Sequence, residues 1–365
     1  MSSLTTEQRD LADTVADFLA KRSPEVEVRR LMATDSGYDP EVWAELAGIG
    51  LLGLAIPEEF GGSGAGFVEV GLVAEAMGRA LLCAPYLSSL LTTQLLLALG
   101  DTREQADVLP RIAAGEFLAT VAFAEPGSTR PPAKPKTVAA AAGFEWQLSG
   151  TKTFVLDATI AQRIYVVAGN SVFAVDPNGP GVEISALSTV DTTRKQGLLV
   201  LSNAPARPVG RLESGSAALD RALEWASVAL LGEQAGGAMH AMQMAADYAK
   251  TRFQFGRAIG SFQAIKHMCA DMLLEAESAV SAARHVAASF DAGDPGRLLD
   301  LAAAQAYCSD AFVTVAANNI QVHGGIGFTW EHPAHLYLRR ARTDAQLFGD
   351  PAWHRERYVR LREAQ

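Results

Sequence analysis

Prolines are distributed unevenly along this chain, and that unevenness limits the possible folds. Eight of the sixteen prolines lie between Pro126 and Pro208. Proline interrupts helices and central strands alike, so this segment predicts short strands joined by turns. Long stretches rich in alanine, leucine and methionine flank it on both sides. The chain therefore predicts helices, then a small sheet domain, then helices again, an α+β fold that is mostly α.

Local patterns place the expected elements and three domains. Apolar residues recur at helical spacing within Thr5–Lys21, and Asp39 and Pro40 are typical of an N-cap followed by the first helical position. Further helices are expected over 68–82, 88–99, 216–293, 298–322 and 334–345, and strands over 118–123, 144–148, 163–168 and 197–201. We expect an N-terminal helical domain over 1–118, a middle sheet domain over 119–215 and a C-terminal helical domain over 216–365.

Composition excludes several classes of protein. The net charge is −10, which argues against a nucleic-acid-binding surface. No run of about 20 apolar residues is uninterrupted, and the first residues lack the pattern of a signal peptide. The three cysteines and seven histidines show no metal-ligand spacing, and an odd cysteine count fits a reducing compartment. We expect a cytoplasmic protein without a metal site.

Four motifs carry a resemblance to a known family. The segment Thr251–Met272 resembles the R-x-x-F-G…F-Q…H-x-x-A-D-M signature of acyl-CoA dehydrogenases, and Gln321–Pro333 is similar to their Q-x-x-G-G-x-G motif. Pro57–Gly62 and Ala124–Ser128 resemble two upstream landmarks of the same family. The motifs follow one another in the family's order, so the resemblance covers nearly the whole chain.

The resemblance implies a fold, a cofactor and partners. It implies an N-terminal helical domain, a middle β-barrel and a C-terminal four-helix bundle in a flavoprotein that is usually tetrameric. FAD would lie across a subunit boundary, the substrate would be an acyl-CoA thioester, and an electron-transferring flavoprotein or similar acceptor would reoxidise the flavin. The residues implied to bind FAD are Arg252, Phe255, Gln263, Gln321, Gly324 and Gly325. A guanidinium suits a diphosphate because it can donate to two oxygens at once, and glycine lets backbone approach closely.

The catalytic base of the family has no equivalent at either of its usual positions. Oxidation of an acyl thioester requires a carboxylate that removes the α-proton, and relatives use a Glu in a Y-E-G-T motif or one at the start of the first C-terminal helix. Here the corresponding residues are Phe348 and Ala226. Asp350 is the candidate base that remains, two residues displaced, and Glu224 and Glu233 are further carboxylates to consider.

The side of the pocket that would face the flavin ring also departs from the family. The loop from Ala124 to Pro132 lacks the second glycine and the Asp of T-E-P-G-x-G-S-D, and Leu156 stands where relatives have a hydroxyl-bearing residue. The half that would reach a neighbour's FAD is thus retained, while the chain's own catalytic face has diverged.

Three functions are compatible with this pattern. The first is the partner subunit of a heteromeric acyl-CoA dehydrogenase, because the chain resembles the subunits without a base in the α2β2 enzymes of sterol side-chain breakdown. The second is a self-sufficient homo-oligomeric enzyme of fatty acid or steroid catabolism that uses Asp350. The third is an oxygen-using flavin enzyme, or a scaffold that binds acyl-CoA without oxidising it.

Overall fold

The computed structural model describes residues 4–143 and 145–364. The described residues divide into two compact units. The first unit draws on Met1–Val28, Phe67–Leu82 and Ser227–Gln365, and the second on Arg29–Gly66 and Cys83–Ala226. The domain boundaries expected at 118 and 215 remain a prediction.

Helices make up most of the described chain. They are α1 (Thr6–Arg22), α2 (Glu25–Met32), α3 (Pro40–Gly48), α4 (Phe67–Arg79), α5 (Tyr86–Leu99), α6 (Thr102–Ala113), α7 (Gly215–Thr251), α8 (Gln263–Asp291), α9 (Arg297–His323), α10 (Ala334–Asp344) and α11 (Pro351–Glu363). Side-chain N-cap hydrogen bonds define where some of these helices begin, as α3 shows. The Asp39 carboxylate accepts from the backbone N–H of Glu41 at 2.9 Å, and Pro40 is the first residue of α3, which confirms the predicted cap.

The middle of the chain forms a seven-stranded sheet, and a short hairpin lies between α7 and α8. The strands are β1 (Ala119–Ala122), β2 (Val138–Ala142), β3 (Glu145–Leu156), β4 (Arg163–Ala168), β5 (Ser171–Val175), β6 (Val182–Ala186) and β7 (Gln196–Pro208), with β8 (Phe253–Gln254) and β9 (Arg257–Ala258) in the hairpin. The sheet order is β1-β4-β5-β7-β3-β2, and β6 pairs with β7. Only β1 and β4 pair in parallel among the described strands. The core of this sheet includes the fully buried side chains of Leu148, Ile164 and Leu199.

In the first unit, glycines let α4 and α7 pack backbone against backbone. A Cβ added at Gly78 would lie 2.0 Å from the carbonyl oxygen of Glu233, and one at Gly236 would lie 1.9 Å from that of Glu75. Both distances are far below van der Waals contact, so any larger residue would push the helices apart. The position of α7, which carries several candidate site residues, therefore depends on these glycines.

The predicted order of helical, sheet and helical regions is confirmed. The strand expected over 163–168 is β4, and the one expected over 197–201 is the start of the longer β7, which pairs with three other strands. Phe144, the first residue of another expected strand, lies outside the described residues, and the remainder of that strand belongs to β3. The alanines of β2 have low strand propensity, so pairing with β3 decides their conformation.

Candidate cofactor and catalytic positions

The β8–β9 hairpin presents Arg252 and Phe255 to solvent. Phe255 and Gly256, its two turn residues, have φ angles of +51° and +80°, the left-handed values that a tight two-residue hairpin requires. Phe255 is consequently 91% exposed at the tip. Arg252, at the end of α7, is also exposed, and across residues 4–143 and 145–364 its guanidinium has no hydrogen bond or ion pair. The hairpin and the residue before it thus present a cation and a largely exposed aromatic ring to solvent.

The C-terminus of α9 offers an open backbone edge. Gln321 is exposed, and Gly324 has φ 64° and ψ −142°, a conformation essentially restricted to glycine. A Cβ placed at Gly324 or Gly325 would meet no atom within 4 Å. Neither glycine is therefore needed for packing within the described chain, and the backbone is free to approach another group closely.

Aromatic contacts join these two segments. The ring of Tyr248, one turn before Arg252, lies 4.2 Å from the ring of His323, which stands between Gln321 and Gly324. The His323 ring in turn lies 4.2 Å from that of His332, and its Nδ1 is 2.8 Å from the carbonyl oxygen of Asn319. Burial lowers the pKa of His323, which favours the neutral ring at pH 7 with Nδ1–H donating to that carbonyl. The ends of α7 and α9 are therefore held side by side.

Gln263 occupies a different position from the residues above. It is the exposed first residue of α8, directly after Phe262. The Arg257 guanidinium lies 4.0 Å above the Phe262 ring, and the Phe255 ring meets that ring edge-on at 6.2 Å. These stacking contacts hold the start of α8 against the hairpin, so Gln263 lies near Phe255.

Phe348 and Ala226, which the motif spacing predicts at the two positions of the family's base, both have hydrocarbon side chains. Phe348 is only 6% exposed and has a φ of +61°, followed by Gly349 at +129°. A non-glycine residue is strained in the left-handed region, so this tight turn is held by its surroundings. Ala226, on α7, is fully buried. Neither side chain can accept a proton.

The other carboxylates considered as bases have identifiable positions. The Asp350 Oδ1 accepts from the backbone N–H of Trp353 at 2.9 Å, so this residue is the N-cap of α11. Glu233 is buried and forms an ion pair with Arg340, which is also buried. Glu224 is half-buried on α7. Asp350 and Glu233 thus have structural partners that a catalytic proton transfer would disturb.

A buried ion pair organises the loop that follows Ala124. Glu125 and Lys152 are almost fully buried, and their Oε1 and Nζ atoms lie 2.9 Å apart. Burial opposes ionisation of Glu125, but hydrogen bonds from the backbone N–H groups of Lys136 and Thr137 and from Lys152 outweigh it and lower its pKa to about 2. The carboxylate therefore pins both ends of the loop 126–135. Leu156, at the end of β3, is buried.

Tyr248 and His332 belong to the site, although the motif comparison did not single them out as candidates. Tyr248 precedes Arg252 by one helical turn. That spacing is the sequence signal that places Tyr248 at the C-terminal end of α7, next to Arg252. The described residues contain no cluster of side chains that could hold a metal ion, and no described helix is long and apolar enough to cross a membrane.

Comparisons with known proteins give consistent matches. The family model for the acyl-CoA dehydrogenase N-terminal domain matches residues 5–116, and that for the C-terminal domain matches 213–360. Acyl-CoA dehydrogenase IpdE2 of Mycobacterium tuberculosis is 33% identical over 94% of both chains. The ChsE4-ChsE5 complex from Mycobacterium tuberculosis is 30% identical, with a TM-score of 0.89 over 98% of this chain and 97% of that one. A variant of the Tcur3481-Tcur3483 steroid ACAD is 30% identical, with a TM-score of 0.86 over 98% of both chains.

Proposed function

The chain belongs to the acyl-CoA dehydrogenase family, oxidoreductases that act on CH–CH bonds with FAD, and we propose that it serves as the partner subunit of a heteromeric member. In this assembly the chain completes the FAD site, while the second chain supplies the glutamate that removes the α-proton. Burial of Phe348 at the position of the base is the observation that carries the proposal.

The residues of the retained half fit FAD. The exposed Arg252 guanidinium suits the diphosphate, with the open backbone at Gly324 and Gly325 beside it. Phe255 offers an aromatic face, and Gln263 and Gln321 offer side-chain amides. The chemistry that bound FAD would supply is acceptance of a hydride from the β-carbon of the acyl group. These residues hold and orient the cofactor, and they take no part in proton transfer.

The missing half of the chemistry is the proton transfer. Removing a weakly acidic α-proton requires a base within hydrogen-bond reach of it, and Phe348 and Ala226 cannot supply one. Asp350 caps α11, so recruiting it would leave the first turn of that helix without its acceptor. A second chain with glutamate in place of Phe348 would provide the base without disturbing this fold.

Relatives made of two named chains support an assembly of this kind. The ChsE4-ChsE5 complex and the Tcur3481-Tcur3483 steroid ACAD are both similar to this chain over nearly its whole length. The second of them is a steroid ACAD, so a CoA thioester of a steroid side chain is the first substrate to assay. Electron-transferring flavoprotein remains the proposed acceptor.

Co-expression tests the proposal. The chain is produced alone and together with an acyl-CoA dehydrogenase chain that carries the family's glutamate, and flavin per polypeptide is measured with mass and ferricenium-coupled turnover. We expect one FAD per two chains and turnover only in the co-expressed complex. Arg252→Gln in this chain should lower FAD occupancy of the complex, whereas Arg9→Gln, an exposed arginine on α1, should not. A lone chain with one FAD each and full turnover would refute the proposal.

A further inference from the structure

A cavity of about 430 Å³ lies within the first unit, and its lining residues include none of the candidate FAD-binding residues. Its walls come from α1, α2, α4, α7 and α10. Leu19, Val28, Met244 and Leu336 give it a largely apolar surface. Small-molecule sites typically measure roughly 300–1,000 Å³ and combine such walls with a few polar groups. This cavity has the size and surface of a ligand site.

Two polar side chains at the cavity have no polar partner in the described chain. Arg79, at the end of α4, is exposed and forms no ion pair with any described residue. Neither ring nitrogen of His240 is hydrogen-bonded within residues 4–143 and 145–364. Glu25, a carboxylate in the lining, is already engaged within the chain. The cavity therefore offers a cation and a polar ring to a molecule that enters it.

The His240 ring is neutral at physiological pH. It stacks on the ring of Tyr337 with 5.0 Å between centroids. Burial, followed by the charge of Arg79, lowers the pKa of His240 to about 4. A neutral imidazole has one N–H donor and one acceptor nitrogen, so Arg79 is the group that attracts an anion, and His240 can donate one hydrogen bond to a polar atom of the same ligand.

The walls around Arg79 are held in place by side-chain hydrogen bonds. The Tyr337 hydroxyl donates to the carbonyl oxygen of Arg79 at 2.7 Å, and the Ser23 hydroxyl donates to that of Ala80 at 3.1 Å. Leu81, which lines the cavity, is buried with a φ of +47°. Strained residues of this kind are concentrated at ligand sites and persist only where their surroundings fix them. The cavity is thus preformed, which reduces the ordering cost of binding.

The cavity is separate from the candidate FAD and base positions. No candidate FAD-binding residue, and neither Phe348 nor Asp350, is among its described lining residues. Along α7, His240 follows Glu233 by about two helical turns, a rise of roughly 10 Å. An occupant would therefore contact a different stretch of α7 from the one that bears the buried Glu233–Arg340 pair.

We propose that this cavity binds a free carboxylic acid with a large apolar body, such as a fatty acid or a steroid acid. The carboxylate pairs with Arg79, the apolar body lies against Leu19, Met244 and Leu336, and His240 contacts a polar atom of the ligand. A thioester lacks the carboxylate that Arg79 would pair with, so the site selects the free acid over its CoA ester. This site is independent of the partner-subunit proposal, because none of its residues contributes to the FAD site.

Calorimetry on the purified full-length chain, with or without a second subunit, tests this site with three probes: dodecanoate, dodecan-1-ol and dodecanoyl-CoA. Cholate is a fourth probe that distinguishes a steroid acid from a fatty acid. Arg79→Gln should weaken dodecanoate binding about 10-fold or more, because a charge-assisted hydrogen bond is lost, and should leave dodecan-1-ol binding unchanged. Arg9→Gln is the matched control and should bind dodecanoate like the parent.

A second variant fills the cavity without removing charge. Ala20 is exposed on α1 at the cavity, so Ala20→Trp should fold and should block both dodecanoate and dodecan-1-ol. Thermal unfolding confirms that each variant is folded. The proposal is overturned if neither dodecanoate nor cholate binds the parent, if Arg79→Gln binds dodecanoate unchanged, or if Ala20→Trp still binds it. It is also overturned if dodecanoyl-CoA competes with dodecanoate at equal affinity, since the cavity would then belong to the substrate site.

Discussion

Replacing Gly236 with alanine tests how closely α4 and α7 must approach each other. The new Cβ would lie 1.9 Å from the carbonyl oxygen of Glu75, and neither backbone can yield without moving a helix. Overpacking of a core typically costs about 1–3 kcal/mol, and a backbone clash belongs at the upper end. Alanine regains about 1 kcal/mol of helix propensity relative to glycine. The expected net loss in the free energy of unfolding is therefore about 2 kcal/mol.

Gly71 provides a matched control on the same pair of helices. A Cβ there would lie 3.7 Å from the Cβ of Ala287, an ordinary van der Waals contact. Gly71→Ala should therefore stabilise the protein by about 0.5–1 kcal/mol through helix propensity alone. For a cooperative unit of this size, about 2–4 °C accompanies each kcal/mol, so differential scanning fluorimetry should show Gly236→Ala lower by about 4–8 °C and Gly71→Ala higher. Equal shifts of the same sign in both variants would refute the packing argument.

Three further predictions concern the site. The Asp350→Asn variant should keep the turnover and the melting temperature of the complex, because asparagine caps a helix as well as aspartate does. The Asp350→Ala variant should lower the free energy of unfolding by about 1 kcal/mol, measured by chemical unfolding. Loss of turnover in the Asp350→Asn variant would make Asp350 the base. Glu125 has a pKa of about 2 in the folded chain against 4.5 ordinarily, so its ionised carboxylate stabilises the fold. This contribution to the free energy of unfolding is fully present above pH 4.5 and should be lost as the pH falls towards 2. Melting curves between pH 2 and 6 measure that slope, and Glu125→Gln should flatten it. The Arg252→Lys variant should bind FAD more weakly than the parent, because lysine cannot donate to two diphosphate oxygens in a fixed geometry. Flavin-fluorescence titrations measure this affinity, and equal affinity for the two proteins would argue against the diphosphate contact.

Features set by neighbouring residues could be predicted from the sequence. Asp39 caps α3 because its carboxylate reaches an N–H only two residues away, and Pro40 fits the first turn wherever the helix packs. Phe348 could likewise be identified from its place after the last family motif. Its burial and left-handed backbone could not, because both depend on the residues packed around it.

Features that depend on residues distant in the sequence could not be predicted from local sequence patterns. Tyr248 meets His323 across 75 positions of sequence, and no periodicity connects them. Strand β2 consists of one valine and four alanines, so its pairing with β3 rather than its propensity makes it a strand. The cavity beside Arg79 needs five helices to form, and each helix contributes only two or three of its lining side chains.

The tip of the β8–β9 hairpin has a consequence for how the protein is made in a cell. Phe255 at this tip is 91% exposed, and an exposed aromatic ring favours non-specific association until another molecule covers it. In the proposed heteromeric assembly, synthesis of this chain in excess over the second subunit should then leave unpaired copies that aggregate or are degraded. Matched production of the two polypeptides, together with a supply of flavin, would keep that residue covered from the start.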